Sequence, residues 1–149
     1  MEEERSIGHE IKSLNNLMCR RFDRNRKQCT DEDVTVMHVW ILIFIRKRGD
    51  QDTFQRDVEK NFEISRSTAT NILQLMEKKE LITRESVQYD ERLKKICLTE
   101  KGRRITEEMR QMADRSDREL VAGIEKEKLA VFYEVLDDIR HNIEMQIKK

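Results

Sequence analysis

A mainly α-helical fold carrying one small β-hairpin is predicted by three features of this 149-residue chain. Charged residues make up 40%, hydrophobic residues 37%, and there is no proline, a mixture that suits long helices with charged surfaces. Apolar residues recur at three- and four-residue intervals over most of the chain, the spacing of one helix face. Two strand-like segments lie close together, 81–87 and 93–98. The regular spacing argues against the disorder that so high a charge would otherwise suggest. The length fits a single domain, 1–149, with room for a core.

Each element has its own signal. Ile7, Ile11, Leu14, Met18 and Phe22 form one stripe and predict a long amphipathic helix over about 5–27. Thr30 to Asp33 is a polar break, after which Thr35 caps a helix over 36–47. That helix is apolar on nearly every face and therefore central, with Arg46, Lys47 and Arg48 complementing its dipole and Gly49 ending it. Residues 50–54 read as a loop with a very short strand. A short helix, about 56–61, follows, with Val58 and Phe62 facing inward. After a turn at 61–64, Ser65 is a good N-cap for a helix over 66–79, tied to the core by Ile72, Leu75 and Met76. The strands 81–87 and 93–98 form an antiparallel hairpin with 88–92 between them. Thr99 caps the next helix, a break falls near 123–125, and Leu129, Phe132, Leu136, Ile139, Ile143 and Ile147 stripe the last one.

Function is most legible in the middle third. The run from Ile64 to Met76 places Ser65, Arg66, Ser67, Thr68, Thr70 and Asn71 on the first two turns of a helix. Short polar side chains of this kind reach base edges and phosphates when a helix enters a major groove end-on. Charge follows the same division. Residues 1–63 carry 12 basic and 13 acidic side chains, 64–104 carry 10 and 6, and 105–149 carry 8 and 11. A net charge of zero thus conceals a local +4 at the helix and hairpin. Arg84 and Lys94 on the basic hairpin would supply a second contact.

The runs Ile64-Ser65-Arg66-Ser67-Thr68-Ala69-Thr70 and Leu73-Gln74-Leu75-Met76-Glu77-Lys78-Lys79, together with Asp90-Glu91-Arg92-Leu93-Lys94-Lys95-Ile96-Cys97-Leu98-Thr99-Glu100-Lys101-Gly102, resemble the recognition helix and wing of MarR-type (multiple antibiotic resistance) regulators. The matching features are the Asp-x-Arg tip and the Leu-Thr-x-x-Gly exit, and the match covers about 53–104. Glu80 departs from the glycine that many members place between helix and wing. The resemblance implies a winged helix-turn-helix with a two- or three-stranded β-wing and long N- and C-terminal dimerisation helices. Its winged lobe would be 31–104 and its dimerisation region 1–30 and 105–149. It further implies a homodimer on near-palindromic double-stranded operators, usually a repressor released by a small ligand or thiol oxidation. Carried over residue by residue, Ser65, Arg66, Ser67, Thr68, Thr70 and Asn71 lie at the major groove or its phosphates. Gln74 reaches a more distant phosphate or base. Arg92 enters the minor groove at the wing tip, where weak hydration suits it to the negative potential, and Asp90 braces its guanidinium. Each of these residues also has a plain structural reading: Ser65 as an N-cap, Ser67 and Thr70 as solvated helix positions, Asp90 and Arg92 as a surface ion pair.

A ligand pocket between dimer helices and winged lobe, taking anionic aromatics, is a further implication. His9, Met18, Phe22, His38 and Trp40 are the candidates for its lining, with core packing the competing role. Cys19, near Arg20, Arg21 and Arg24, is the candidate redox thiol, since positive neighbours favour thiolate. Three cysteines without CxxC or metal-ligand spacing fit a reducing cytoplasm, and the acidic N-terminus does not read as a signal peptide. The ten-residue apolar run 36–45 is too short to span a bilayer. There is no nucleophile elbow, phosphate loop or metal spacing, so an enzyme is not expected and no cofactor or metal is implied. The competing class is a helical protein-interaction adaptor that keeps the winged fold without binding DNA.

Overall fold

The computed structural model describes residues 5–147, so the acidic segment 1–4 lies outside the described residues. The order is α1 (Ile7–Cys29), α2 (Val36–Lys47), α3 (Gln55–Phe62), α4 (Arg66–Lys78), β1 (Ile82–Val87), β2 (Asp90–Leu98), α5 (Glu100–Leu120) and α6 (Lys126–Ile147). The described chain forms two compact units, one through Met112 and one from Ala113.

The first unit is organised around α2, whose Val39, Ile41, Leu42, Ile43 and Ile45 are all buried. Its N-terminus is closed reciprocally. The Thr35 hydroxyl accepts the His38 backbone N–H (3.2 Å), and His38 Nδ1 accepts the Thr35 N–H (3.1 Å). Gly49, at φ 58°, ends the helix in the left-handed conformation. Val58 of α3, Ala69, Leu73 and Met76 of α4, and Ile105, Met109 and Met112 of α5 complete the core. Full burial stabilises such side chains by about 1.5–3 kcal/mol each. The buried stripe of α4 is therefore Ala69, Leu73 and Met76, spaced four and three apart, with Ile72 half-buried. Leu75, expected to face inward, is 42% exposed.

Two non-glycine residues with positive φ bracket α4. Glu63 (φ 52°) makes the tight turn from α3. Glu80 (φ 58°) ends α4 as a Schellman motif: the Leu81 N–H reaches the Met76 carbonyl (2.9 Å) and the Glu80 N–H reaches that of Glu77 (2.8 Å). Leu81 and Met76 are both fully buried, supplying the apolar contact of that motif. Glu80, standing where the resemblance implies a glycine, thus still adopts the left-handed conformation.

β1 and β2 pair antiparallel from Ile82↔Leu98 to Val87↔Asp90, with an irregularity at Ser86/Val87. The hairpin is longer than expected. Pairing runs out to Asp90, so the connection shrinks to Gln88 and Tyr89 and Arg92 lies within β2. The short strand expected at 50–54 is a single bridge, Phe54↔Lys95, beside an Ile96 N–H bond to the Thr53 carbonyl (2.7 Å). At the hairpin's exit the Thr99 hydroxyl accepts the Gly102 N–H (2.9 Å) and donates to the Glu80 carbonyl (2.6 Å). α5 passes so close to the start of the wing that a Cβ at Gly102 would lie 2.0 Å from the Leu81 carbonyl oxygen. That approach explains the glycine of the Leu-Thr-x-x-Gly exit.

In the second unit α5 ends at Leu120, Gly123 turns the chain at φ 77°, and α6 follows. α6 has no buried residue and exposes Val131, Phe132, Tyr133, Ile143 and Ile147. α1 likewise has no buried residue and exposes Ile7, Ile11, Leu14 and Leu17.

Candidate nucleic-acid interface

The outward face of α4 is assembled from its cap. Ser65 Oγ accepts the Thr68 N–H (3.2 Å) and lies 3.0 Å from Ser67 Oγ and 2.8 Å from Thr68 Oγ1. This closes the helix start with exposed hydroxyls beside its positive dipole end. Ser67, Asn71, Gln74 and Lys78 are all exposed and fall four, three and four residues apart, one row on the side away from Ala69, Leu73 and Met76. Arg66 is exposed at the first position of α4, off this row. Thr70 is different. It is half-buried, its hydroxyl donates to the Arg66 carbonyl (2.8 Å) and accepts from Gln55 Nε2 (2.8 Å). Gln55 Nε2 also donates to Glu59 Oε1 (3.0 Å) and to the Arg66 carbonyl (3.3 Å), so the first turn of α3 holds the first turn of α4.

The hairpin is joined to the same helix. Arg84 Nε pairs with Glu77 Oε2 at 3.0 Å, and the Arg84 side chain is only 21% exposed. The pair is off the hydrogen-bond line, and Arg84 Nε and Nη2 are shielded without an aligned acceptor among the described residues. Arg84, expected at the DNA, is therefore occupied in bracing β1 against α4. Lys94 is exposed and donates across the strands to Ser86 Oγ. The Asp90 carboxylate accepts the Arg92 backbone N–H (2.9 Å) rather than bracing its guanidinium, which fixes the start of β2 and leaves the exposed Arg92 side chain near the tip. Tyr89, in the turn itself, is 72% exposed. From sequence alone Tyr89 is one residue of a five-residue connection, 88–92, so its place in a two-residue turn has no signal. Gln55 escapes sequence reasoning because a contact fifteen residues away leaves no periodic trace.

The expected ligand-pocket residues are dispersed within the first unit. His9, on α1, is exposed, Met18 and Trp40 are partly exposed, and Phe22 is half-buried. His38 is buried, with Nδ1 committed to the cap of α2. Burial first, then the neighbouring Lys79 ammonium, hold its imidazole below the ordinary histidine range. A cavity of about 350 Å³ lies elsewhere, between the end of α2, the loop 49–53, β2 and the start of α5. Arg46, Asp50, Asp52, Lys95, Cys97 and Arg103 are among its lining, and none of the five expected residues is. Cys19 is a half-buried free thiol, Cys29 is exposed, and Cys97 is half-buried, its thiol pushed up by burial and by Glu85. Among the described residues no cluster of metal-ligating side chains occurs, and no helix is long and apolar enough to cross a membrane.

Comparison with known proteins places this geometry. The family model described as the MarR family matches residues 32–93. The transcription regulator MarR from Oenococcus oeni PSU-1 is 29% identical, with 91% of this chain and 99% of that chain covered and a TM-score of 0.77. The MepR–DNA complex of S. aureus is similar in fold at 22% identity, 94% and 99% coverage and a TM-score of 0.82. The heme sensor protein PefR from Streptococcus agalactiae, solved with heme, gives 25% identity, 98% and 97% coverage and a TM-score of 0.68. The match to the MarR family model lies over the winged lobe, and along nine-tenths of its length the chain has a winged helix-turn-helix fold similar to that of the transcription regulator MarR.

Proposed function

We propose that this chain is a sequence-specific double-stranded DNA-binding transcriptional regulator that acts as a homodimer on near-palindromic operators. The observation that carries the reading is the fixed pairing of two surfaces. An exposed polar row, Ser67, Asn71, Gln74 and Lys78, runs along α4, and a hairpin bearing Arg92 and Lys94 is braced to the same helix through Arg84 and Glu77. The row suits base edges in the major groove and the hairpin suits the adjacent backbone and minor groove. A similar fold, MepR, has been solved with DNA bound.

Two copies double the phosphate contacts and set two recognition helices about 34 Å apart, one DNA turn. The exposed apolar residues of α1 and of α6 support a second copy as their cover. Repression is the proposed sign, because a dimer seated over neighbouring turns occludes them. Release follows from a small anionic aromatic ligand, or from oxidation of Cys19, that favours a different spacing of the two lobes. PefR, another relative in fold, has been solved with heme.

Fluorescence anisotropy with duplex DNA across a salt series tests the core of this reading. Binding should weaken steeply with salt, and selection from a genomic library should yield two-fold-related half-sites. Absence of binding at low salt refutes it in favour of the adaptor reading. Sedimentation of a chain lacking 1–20 should show monomers with poor DNA affinity, and a persistent dimer places the interface elsewhere.

A further inference from the structure

The C-terminal end of α4 is held by a relay of charged groups that reaches from α1 to α5. Lys79, the C-cap of α4, sends its ammonium to the loop between α1 and α2, where it donates to the Asp33 carbonyl and pairs with Asp33 Oδ2 at 3.2 Å. The Lys79 backbone carbonyl, one of the unsatisfied acceptors at the helix end, takes a hydrogen bond from Lys101 Nζ of α5 (2.9 Å). The same Lys101 Nζ pairs with Glu32 Oε2 at 3.1 Å, and Arg104 of α5 approaches Glu32 Oε1 at 3.9 Å. Arg26 of α1 completes the relay by donating through Nη1 to the Glu32 carbonyl (2.6 Å).

Within the relay the Lys101–Glu32 pair differs from an ordinary surface pair. Its side chains are 30% and 34% exposed, so solvent screens it less than a free pair, whereas Lys79, itself 23% exposed, meets a fully solvated Asp33. The contacts of the relay also converge on one short loop, Glu32–Asp33, which connects α1 to the rest of the unit. The other end of α4, near Ser67, is twelve residues away, or about 18 Å along the axis, so a tilt of roughly 10° about the latch moves it about 3 Å. That displacement is a full hydrogen-bond length, sufficient to lose a base contact.

We propose that Glu32, Lys79 and Lys101 are positioning residues that couple the placement of α1 to the tilt of α4, and so set DNA affinity from a site that touches no base. The inference rests on the DNA-binding reading for its consequence but not for its geometry. A movement of α1 is carried through Arg26 and the Glu32–Asp33 loop to the Lys79 end of α4. The coupling is electrostatic, and its loss frees the helix end without opening the core beneath Met76.

The test exploits a difference in sign. Glu32→Gln removes a negative charge, so direct attraction to DNA alone predicts tighter binding. Loss of the latch predicts binding weaker by about 5- to 10-fold. The second readout is amide hydrogen exchange in the free, full-length protein. Exchange should accelerate several-fold at Glu80 and Leu81 and, together with them, at Glu32 and Val34, while Leu73 in the core keeps its protection. Combining Glu32→Gln with Lys101→Met should add little to either change. Tighter binding by Glu32→Gln, or unchanged exchange at Glu80 and Leu81, overturns the proposal. Should the parent protein bind no duplex, the DNA reading fails, and exchange alone decides whether the latch exists.

Discussion

Gly102→Ala separates two opposed effects at the junction of wing and α5. On helix propensity alone, alanine inside a 21-residue helix should gain about 1 kcal/mol over glycine. The structure predicts the opposite sign. The added Cβ would stand 2.0 Å from the Leu81 carbonyl oxygen, a backbone atom that cannot rotate away. Helix and strand must part by more than about 1 Å to reach ordinary contact. The Thr99 bonds to the Glu80 carbonyl (2.6 Å) and from the Thr99 N–H to the Leu81 carbonyl (3.2 Å) lie across that gap. Losing them costs about 1 kcal/mol each, and loosened packing of Leu81 against the core costs about 1–2 kcal/mol more. The net is a destabilisation of about 2–3 kcal/mol, or a Tm lowered by roughly 5–10 °C for a chain of this length. Thermal unfolding followed by circular dichroism reads the effect directly. A variant that melts at or above the parent refutes the close approach as the reason for this glycine.

Three further outcomes follow from the same geometry. Glu80→Gly should raise stability by about 0.5–1 kcal/mol in urea unfolding, since relief of the left-handed conformation exceeds the added freedom of the unfolded chain; no gain would mean that Glu80 is unstrained. His38 has a folded pKa below its ordinary 6.5, so its contribution is fully present above pH 6.5 and is lost as pH falls below that value. Urea midpoints between pH 7.5 and 5.5 should therefore decline less in His38→Gln than in the parent, and parallel declines remove His38 from the account. Arg92→Ala should weaken operator binding by about 1 kcal/mol or more and lower the salt slope by about 1, with Tm nearly unchanged. Equal affinity takes the wing out of the interface.

Local chemistry made much of this molecule legible in advance. Thr35, Ser65 and Thr99 announce helix starts because a short hydroxyl at such a position satisfies a free N–H wherever the chain goes afterwards. The bounds of α2 and α4 and the presence of a hairpin follow from those caps and from apolar period. What escaped reading depends on contacts distant in sequence. The Gln88–Tyr89 turn lacks the glycine or asparagine that usually marks a two-residue connection, so the hairpin extends further than its composition suggested. By residue type Leu75 belongs in the core, yet the stripe set by Ala69, Leu73 and Met76 leaves it outside. Arg84 reads as a free cation until Glu77 is placed beside it. The relay through Lys79 and Lys101 spans dozens of residues, and no spacing rule reaches that far.

The bond between Gln55 and Thr70 has a consequence for how such a protein changes its target. With the threonine hydroxyl engaged by a neighbouring helix, fewer side chains are free to discriminate one base pair from another. Exchanging Gln55 for a residue without the amide frees the acceptor side of that hydroxyl, which still donates to the Arg66 carbonyl. On the DNA-binding reading proposed above, operator preference then depends in part on α3 through Gln55, with the exposed row of α4 unaltered.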